Sequence, residues 1–269
     1  MNICAVRAPT TERREPNMLI QQTITQLHAL KLQGMAAALQ RQIEQPAACD
    51  MGFEERLALL VQHECDSRHA RRCARLLTQA RLRYPQAAIE DFDTRTGRGI
   101  ERARFMSLAL GEWITAGQTV ILTGATGCGK TWLACALAQY ACRRGHSTRY
   151  LRVPRLSEEL RTQQAAGTYT RWLAQLAKTE VVVLDDWGLT GLDALTREAL
   201  MELLDDRAGS RATLVTSQLP VDHWHAWIGD PAIADAMLDR LLAQAHRIVL
   251  KGESLRTSKR RTAASQVND

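Results

Sequence analysis

The 269-residue sequence predicts an α/β fold, a five-stranded parallel sheet covered by helices on both faces, preceded by a small all-helical domain. Three observations predict it. After residue 111, short apolar segments alternate with helix-prone stretches, the pattern of parallel strands buried on both faces. One of these segments, Thr119-Val120-Ile121-Leu122-Thr123, runs into the octapeptide Gly124-Ala125-Thr126-Gly127-Cys128-Gly129-Lys130-Thr131 and then into a helix-prone run that begins at Trp132. Another, Glu180-Val181-Val182-Val183-Leu184, ends in the two acids Asp185 and Asp186.

Taken from the N-terminus, residues 1–17 are polar, contain two prolines and are expected to be disordered. Residues 18–45 place Leu19, Ile24, Leu27, Leu30, Leu32, Met35, Leu39 and Ile43 at helical spacing as far as Pro46. A second helical stretch starts at Phe53 and runs towards Tyr84-Pro85. Its later part carries Arg68, Arg71, Arg72, Arg75, Arg81 and Arg83, a basic face with few acids. Residues 18–85 therefore read as a helical domain that binds DNA or a partner, and 86–110, with Gly97 and Gly99, as a connector. The α/β core spans 111–257, with strands expected at 119–123, 148–152, 180–185, 212–217 and 246–250. A basic tail, 258–269, follows so closely that no C-terminal helical lid is expected.

Composition narrows the class. Hydrophobic content of 45% and charged content of 24% are ordinary for a globular protein. No stretch approaches the ~18 apolar residues of a membrane span, and the N-terminus lacks the apolar centre of a signal peptide. A cytoplasmic location is expected. The seven cysteines form no C-x-x-C pair and no zinc spacing, so reduced thiols are expected, with Cys128, Cys135 and Cys142 serving as small apolar groups. The formal charge of +6 is uneven: residues 1–110 carry 16 Lys/Arg against 12 Asp/Glu, residues 111–246 carry 13 against 15, and residues 247–269 carry 6 against 2. The core is slightly acidic and its flanks are basic, as flanks that meet a polyanion would be.

The octapeptide fits G-x-x-x-x-G-K-[ST], a loop that cradles phosphates. Gly124, Gly127 and Gly129 allow backbone conformations that turn N–H groups towards phosphate oxygens. Ala125, Thr126, Cys128 and Trp132 complete the expected nucleotide-contacting segment. Lys130 brings a charge to the β and γ phosphates, and Thr131 offers a hydroxyl to Mg²⁺. The following helix adds the positive end of its dipole. In the second motif, Asp185 would support the Mg²⁺ shell and Asp186 would orient the attacking water. ATP and Mg²⁺ are the expected cofactors.

Several further segments carry a family resemblance. Together with the phosphate loop, Leu184-Asp185-Asp186-Trp187-Gly188, Thr216-Ser217-Gln218-Leu219-Pro220-Val221, Trp224-His225, Ala234 to Leu241 and Lys251 to Arg256 resemble the IstB family. So do Leu30 to Ala36 and Phe53 to Leu60, so that the resemblance covers about residues 20 to 257. These proteins are helper ATPases encoded beside a transposase in bacterial insertion sequences, and they are relatives of the DnaC helicase loader. The resemblance implies an AAA+ ATPase that forms a homo-oligomer with ATP between subunits, binds double-stranded DNA and serves a cognate transposase. It also implies a γ-phosphate sensor, matched within Thr216-Ser217-Gln218 with Gln218 favoured, an arginine acting on the neighbouring subunit, matched by Arg240, and a second sensing arginine, matched by Arg256. Arg68, Arg71, Arg72 and Arg75 are the expected DNA contacts. A DnaC-like replicative helicase loader is the alternative function, but the Trp-His and Gly-Glu-Ser-Leu-Arg segments look like IstB instead.

Overall fold

The computed structural model describes residues 15–45, 50–92 and 99–252. The chain divides into two compact units, Met1–Arg72 and Cys73–Asp269. The division falls inside one long helix.

In the first unit the expected helix over 18–45 is two helices, α1 (Glu15–Ala29) and α2 (Gln33–Glu44). Lys31 separates them by adopting φ 60. Its N–H donates to His28 O at 3.0 Å and the Leu32 N–H donates to Leu27 O at 2.8 Å, so the last carbonyls of α1 are satisfied by a turn that periodicity cannot reveal. Helix α3 (Phe53–Ala80) follows, and its buried Glu64 caps α2 from outside. The carboxylate accepts the Gly34 N–H at 2.7 Å and the Met35 N–H at 3.2 Å. A Cβ at Gly34 would lie 2.6 Å from His63 O, so only glycine permits this approach.

The second unit is built on five parallel strands in the order β2-β3-β4-β1-β5, with β1 (Thr119–Gly124), β2 (Thr148–Arg152), β3 (Val181–Trp187), β4 (Ala212–Ser217) and β5 (His246–Leu250). All five fall where the sequence predicted them; β1, β3 and β4 are shielded on both faces, whereas β5 leaves Arg247 and Val249 exposed. Alternate residues feed two cores. Val120, Leu122, Val181, Val183, Leu214 and Ile248 pack with α4 (Arg102–Leu110), α5 (Glu112–Thr115) and α6 (Lys130–Arg143). Ile121, Val182, Leu184 and Val215 pack on the opposite face with α7 (Leu156–Ala165), α8 (Tyr169–Lys178), α9 (Ala194–Arg207), α10 (Trp224–Ile228) and α11 (Pro231–Leu242). Each fully buried aliphatic side chain contributes ~1.5–3 kcal/mol. Asp193 caps α9, accepting the Thr196 N–H at 2.9 Å.

One feature of the helical stretch differs from expectation. Helix α3 ends at Ala80, not near Tyr84, because Arg81 takes φ 51 and the chain turns to bury Leu82. Arg83 therefore leaves the basic helix face. Among the described residues no helix is long and apolar enough to cross a membrane.

Candidate nucleotide site

The carboxyl ends of parallel strands gather along one edge of the sheet, where ligands of open α/β folds bind. At that edge β1 delivers the phosphate loop, β3 the two acids, β4 Thr216 and Ser217, and β2 Tyr150 and Arg152. Gly124, Gly127 and Gly129 all have positive φ, at 146, 87 and 99. A side chain at Gly124 would collide with Leu250 O, so both conformation and space require glycine there. Lys130 opens α6 and is buried, with its ammonium donating to Gly124 O at 2.7 Å and Ala125 O at 2.8 Å. Burial pushes it below the usual lysine range, while Cys128, Asp186 and Asp185 oppose that shift.

The two motifs meet directly. The Thr131 hydroxyl donates to Asp185 Oδ1 at 2.8 Å, and the Thr216 hydroxyl donates to the same oxygen at 2.5 Å. The other oxygen, Oδ2, accepts the Tyr150 hydroxyl at 2.5 Å. Burial and then the Asp185 charge push that hydroxyl well above the ordinary tyrosine range, so it remains a donor. Asp185 is fully buried with three hydroxyl donors around it. Asp186, at an irregular step in the β3–β4 register, takes φ 60, which aspartate tolerates better than most residues. Its N–H donates to Thr216 Oγ1 at 3.2 Å, and its carboxylate accepts Arg152 Nε at 2.8 Å.

Of the other expected site residues, Gln218 lies against the loop, accepting the Thr126 hydroxyl at 2.7 Å. The Trp132 ring packs against Phe92 at 6.3 Å between centroids and borders the hydrophobic core. Cys128 is buried in the loop. The Cys135 thiol is pushed up to about 11 by burial, which makes it unreactive, as the packing role of these cysteines requires. Arg240 stands in the last turn of α11 and pairs with Asp205 of α9 at 2.5 Å. Arg256 lies outside the described residues. In the first unit Arg68 donates to Glu64 Oε1 at 2.7 Å, and Arg71 donates to Gln33 Oε1 at 2.7 Å and lies 3.6 Å from Glu64 Oε1. Arg68 foremost holds the Glu64 carboxyl below the usual range. Arg72 and Arg75 are exposed on α3.

The motif reading missed Tyr150, Arg152 and Arg83, and it favoured Gln218 over Thr216 within the sensor segment. Tyr150 and Arg152 carry a weak signal, as polar residues two apart at the end of a strand that the pleat places on one face.

Residues 25–263 match the family model described as IstB-like ATP binding protein. The chain belongs to that family. It is 50% identical over 76% of its length, and 88% of the relative's, to an ATP-binding protein of insertion sequence IS1162 from Pseudomonas fluorescens. To the insertion sequence ATP-binding protein y4pL of Sinorhizobium fredii it is 45% identical over 91% of its length and 99% of the relative's. Among solved structures, the DnaC helicase loader aligns with a TM-score of 0.52 and 19% identity, over 63% of this chain and 99% of that one. DnaI aligns with a TM-score of 0.53 and 22% identity, over 67% and 92%. At those identities the likeness establishes the AAA+ fold of this IstB-like chain and nothing more specific.

Proposed function

We propose that this IstB-like chain is a Mg²⁺-dependent ATPase of transposition that assembles as a homo-oligomer on double-stranded DNA and recruits or stimulates its cognate transposase. The observation that carries the reading is the Thr131–Asp185 contact at 2.8 Å, with Asp186 next in sequence and held by Thr216 and Arg152. It joins a hydroxyl and a carboxylate suited to a hydrated divalent cation beside a phosphate loop. The loop N–H groups and Lys130 would hold the phosphates; Thr131 and, through water, Asp185 would hold Mg²⁺. The ion neutralises charge on the β and γ phosphates when bound.

Lys130 supports this reading because its ammonium is already aimed at the loop, where it donates to two carbonyls that phosphate oxygens can replace as acceptors. Asp186 accepts a proton or orients a water at the edge of the site. Gln218, tied to Thr126, is placed to respond to the γ phosphate. Arg240 is half-buried on α11 and is proposed to act on a neighbouring subunit after leaving Asp205. The second sensing role stays with Arg256. For DNA, Arg68, Arg71, Arg72 and Arg75 line one stretch of α3, and the Glu64 contacts hold the first two guanidinium groups in place with further donors to offer a phosphate backbone. Insertion-sequence relatives support the transposase as partner.

The test separates binding from hydrolysis. Asp186→Asn should leave Mg²⁺-ATP affinity within about twofold and slow turnover by about 10²–10⁴-fold, the range for loss of a general base. Lys130→Ala should weaken nucleotide binding itself. Turnover of Asp186→Asn close to wild type would remove Asp186 from the mechanism.

A further inference from the structure

Arg83 belongs to neither nucleotide motif. It follows the turn that ends α3, with the backbone of Arg83 and Tyr84 resting on the Cys135 thiol of α6. Its Nη1 lies 4.0 Å from Asp185 Oδ2 and 4.0 Å from Asp186 Oδ2. Among the described ion pairs, Arg83 alone spans both acids. Arg152 reaches only Asp186, and Tyr150 holds only Asp185.

The two oxygens of Asp185 face different groups. Oδ1 meets Thr131 and Thr216, whereas Oδ2 meets Tyr150 and Arg83. Arg83 therefore approaches from the side away from Thr131 and leaves Oδ1 to the two threonine hydroxyls. Two adjacent carboxylates repel each other and compete for protons, and a guanidinium nitrogen 4.0 Å from each relieves the repulsion. Both contacts come from the one nitrogen, Nη1, so a lysine in its place would keep the charge on a more flexible stem.

We propose that Arg83 is a positioning residue that sets Asp185 and Asp186 in register with each other, so that one carboxylate serves Mg²⁺ while the other serves water. The proposal rests on the hydrolytic reading above for the role of Asp186, but not for that of Asp185. Loss of a side chain that orients metal-associated groups weakens metal binding or activity by about 10–100-fold.

The full-length protein is compared with Arg83→Ala, Arg83→Gln and Arg83→Lys. A fluorescent, non-hydrolysable ATP analogue is titrated with Mg²⁺, and turnover is measured against ATP concentration. In Arg83→Ala and Arg83→Gln the half-saturating Mg²⁺ concentration should rise about tenfold, and kcat should fall about 10–100-fold with KM within about twofold. Arg83→Lys should recover part of both losses. Millimolar guanidinium ion should recover part of them in Arg83→Ala, which a purely structural role would not allow. A half-saturating Mg²⁺ concentration at the wild-type value in both Arg83→Ala and Arg83→Gln would overturn the proposal, as would a lysine variant no better than glutamine. If Arg83→Ala does not fold, the glutamine and lysine variants decide the question. The Mg²⁺ titration involves no hydrolysis, so a wild-type protein without turnover would overturn the hydrolytic reading and still leave the Asp185 arm decisive for Arg83.

Discussion

Thr216→Val tests the geometry of the acid pair at a residue that touches both of its members. The Thr216 side chain is 1% exposed. Its hydroxyl donates to Asp185 Oδ1 at 2.5 Å and accepts the Asp186 N–H at 3.2 Å. Valine keeps the shape and the strand propensity and removes only the hydroxyl. A hydrogen bond to a carboxylate is worth ~1.5–3 kcal/mol, and a buried N–H left unpaired costs ~1–3 kcal/mol. Replacing a buried hydroxyl by a methyl returns ~1 kcal/mol of desolvation, so the net loss is ~1.5–5 kcal/mol. Against a typical domain stability of ~5–15 kcal/mol this is large.

Urea denaturation followed by tryptophan fluorescence is the assay, because all six tryptophans (Trp113, Trp132, Trp172, Trp187, Trp224 and Trp227) lie in the second unit. The signal then reports this unit without the first. Thr216→Val should lower the midpoint with the slope unchanged, which identifies a loss of stability and not a change in the surface exposed on unfolding. Thr216→Ser, which keeps the hydroxyl and loses a methyl, should cost only ~1 kcal/mol. A Thr216→Val midpoint equal to wild type, or a serine variant as damaged as the valine, would refute the reasoning.

Two further outcomes are expected. Changing Arg71, Arg72 and Arg75 together to Ala should weaken duplex binding in fluorescence anisotropy and flatten its salt dependence by ~0.9 log unit for each phosphate that is no longer neutralised, leaving DNA-free nucleotide affinity unchanged; an unaltered slope would place the DNA-binding surface elsewhere. Asp193 gives a pH signature, since hydrogen bonds from Ser157 and then Thr196 lower its carboxyl from 3.8 to about 2. A depressed carboxyl stabilises the fold fully above its unfolded value, and the contribution disappears as pH falls from about 3.8 through about 2. The shift sets an upper bound of ~2.5 kcal/mol, and screening of a side chain 33% exposed reduces it to ~1 kcal/mol. Thermal melts of wild type and Asp193→Ala should therefore differ at pH 6 and converge near pH 2, and a constant gap would show that the carboxylate charge is not the cause.

How much was legible depends on the range of the interactions. Strand positions were readable because a strand buried on both faces must be apolar throughout, and Val181 to Leu184 and Thr119 to Thr123 satisfy this locally. The phosphate loop was readable for a similar reason: its glycines answer to local backbone geometry, and Lys130 and Thr131 stand at fixed offsets from them. The break at Lys31 was hidden because it is a left-handed turn without glycine, and the end of α3 was hidden because burial of Leu82 decides it.

Amino-acid order by itself determined the five strands, the loop and the acid pair, each encoded within about ten consecutive residues, and the α/β class through the alternation of such segments along the chain. The strand order β2-β3-β4-β1-β5 was settled only by tertiary packing, and with it the meeting of Tyr150, Arg152, Thr216 and Arg83 around Asp185 and Asp186. These partners lie from 30 to 35 residues away for Thr216, Arg152 and Tyr150 and about a hundred for Arg83. No local periodicity connects them. A buried carboxylate selects whichever donors the fold brings within hydrogen-bond reach, and that reach exists only once the sheet has formed.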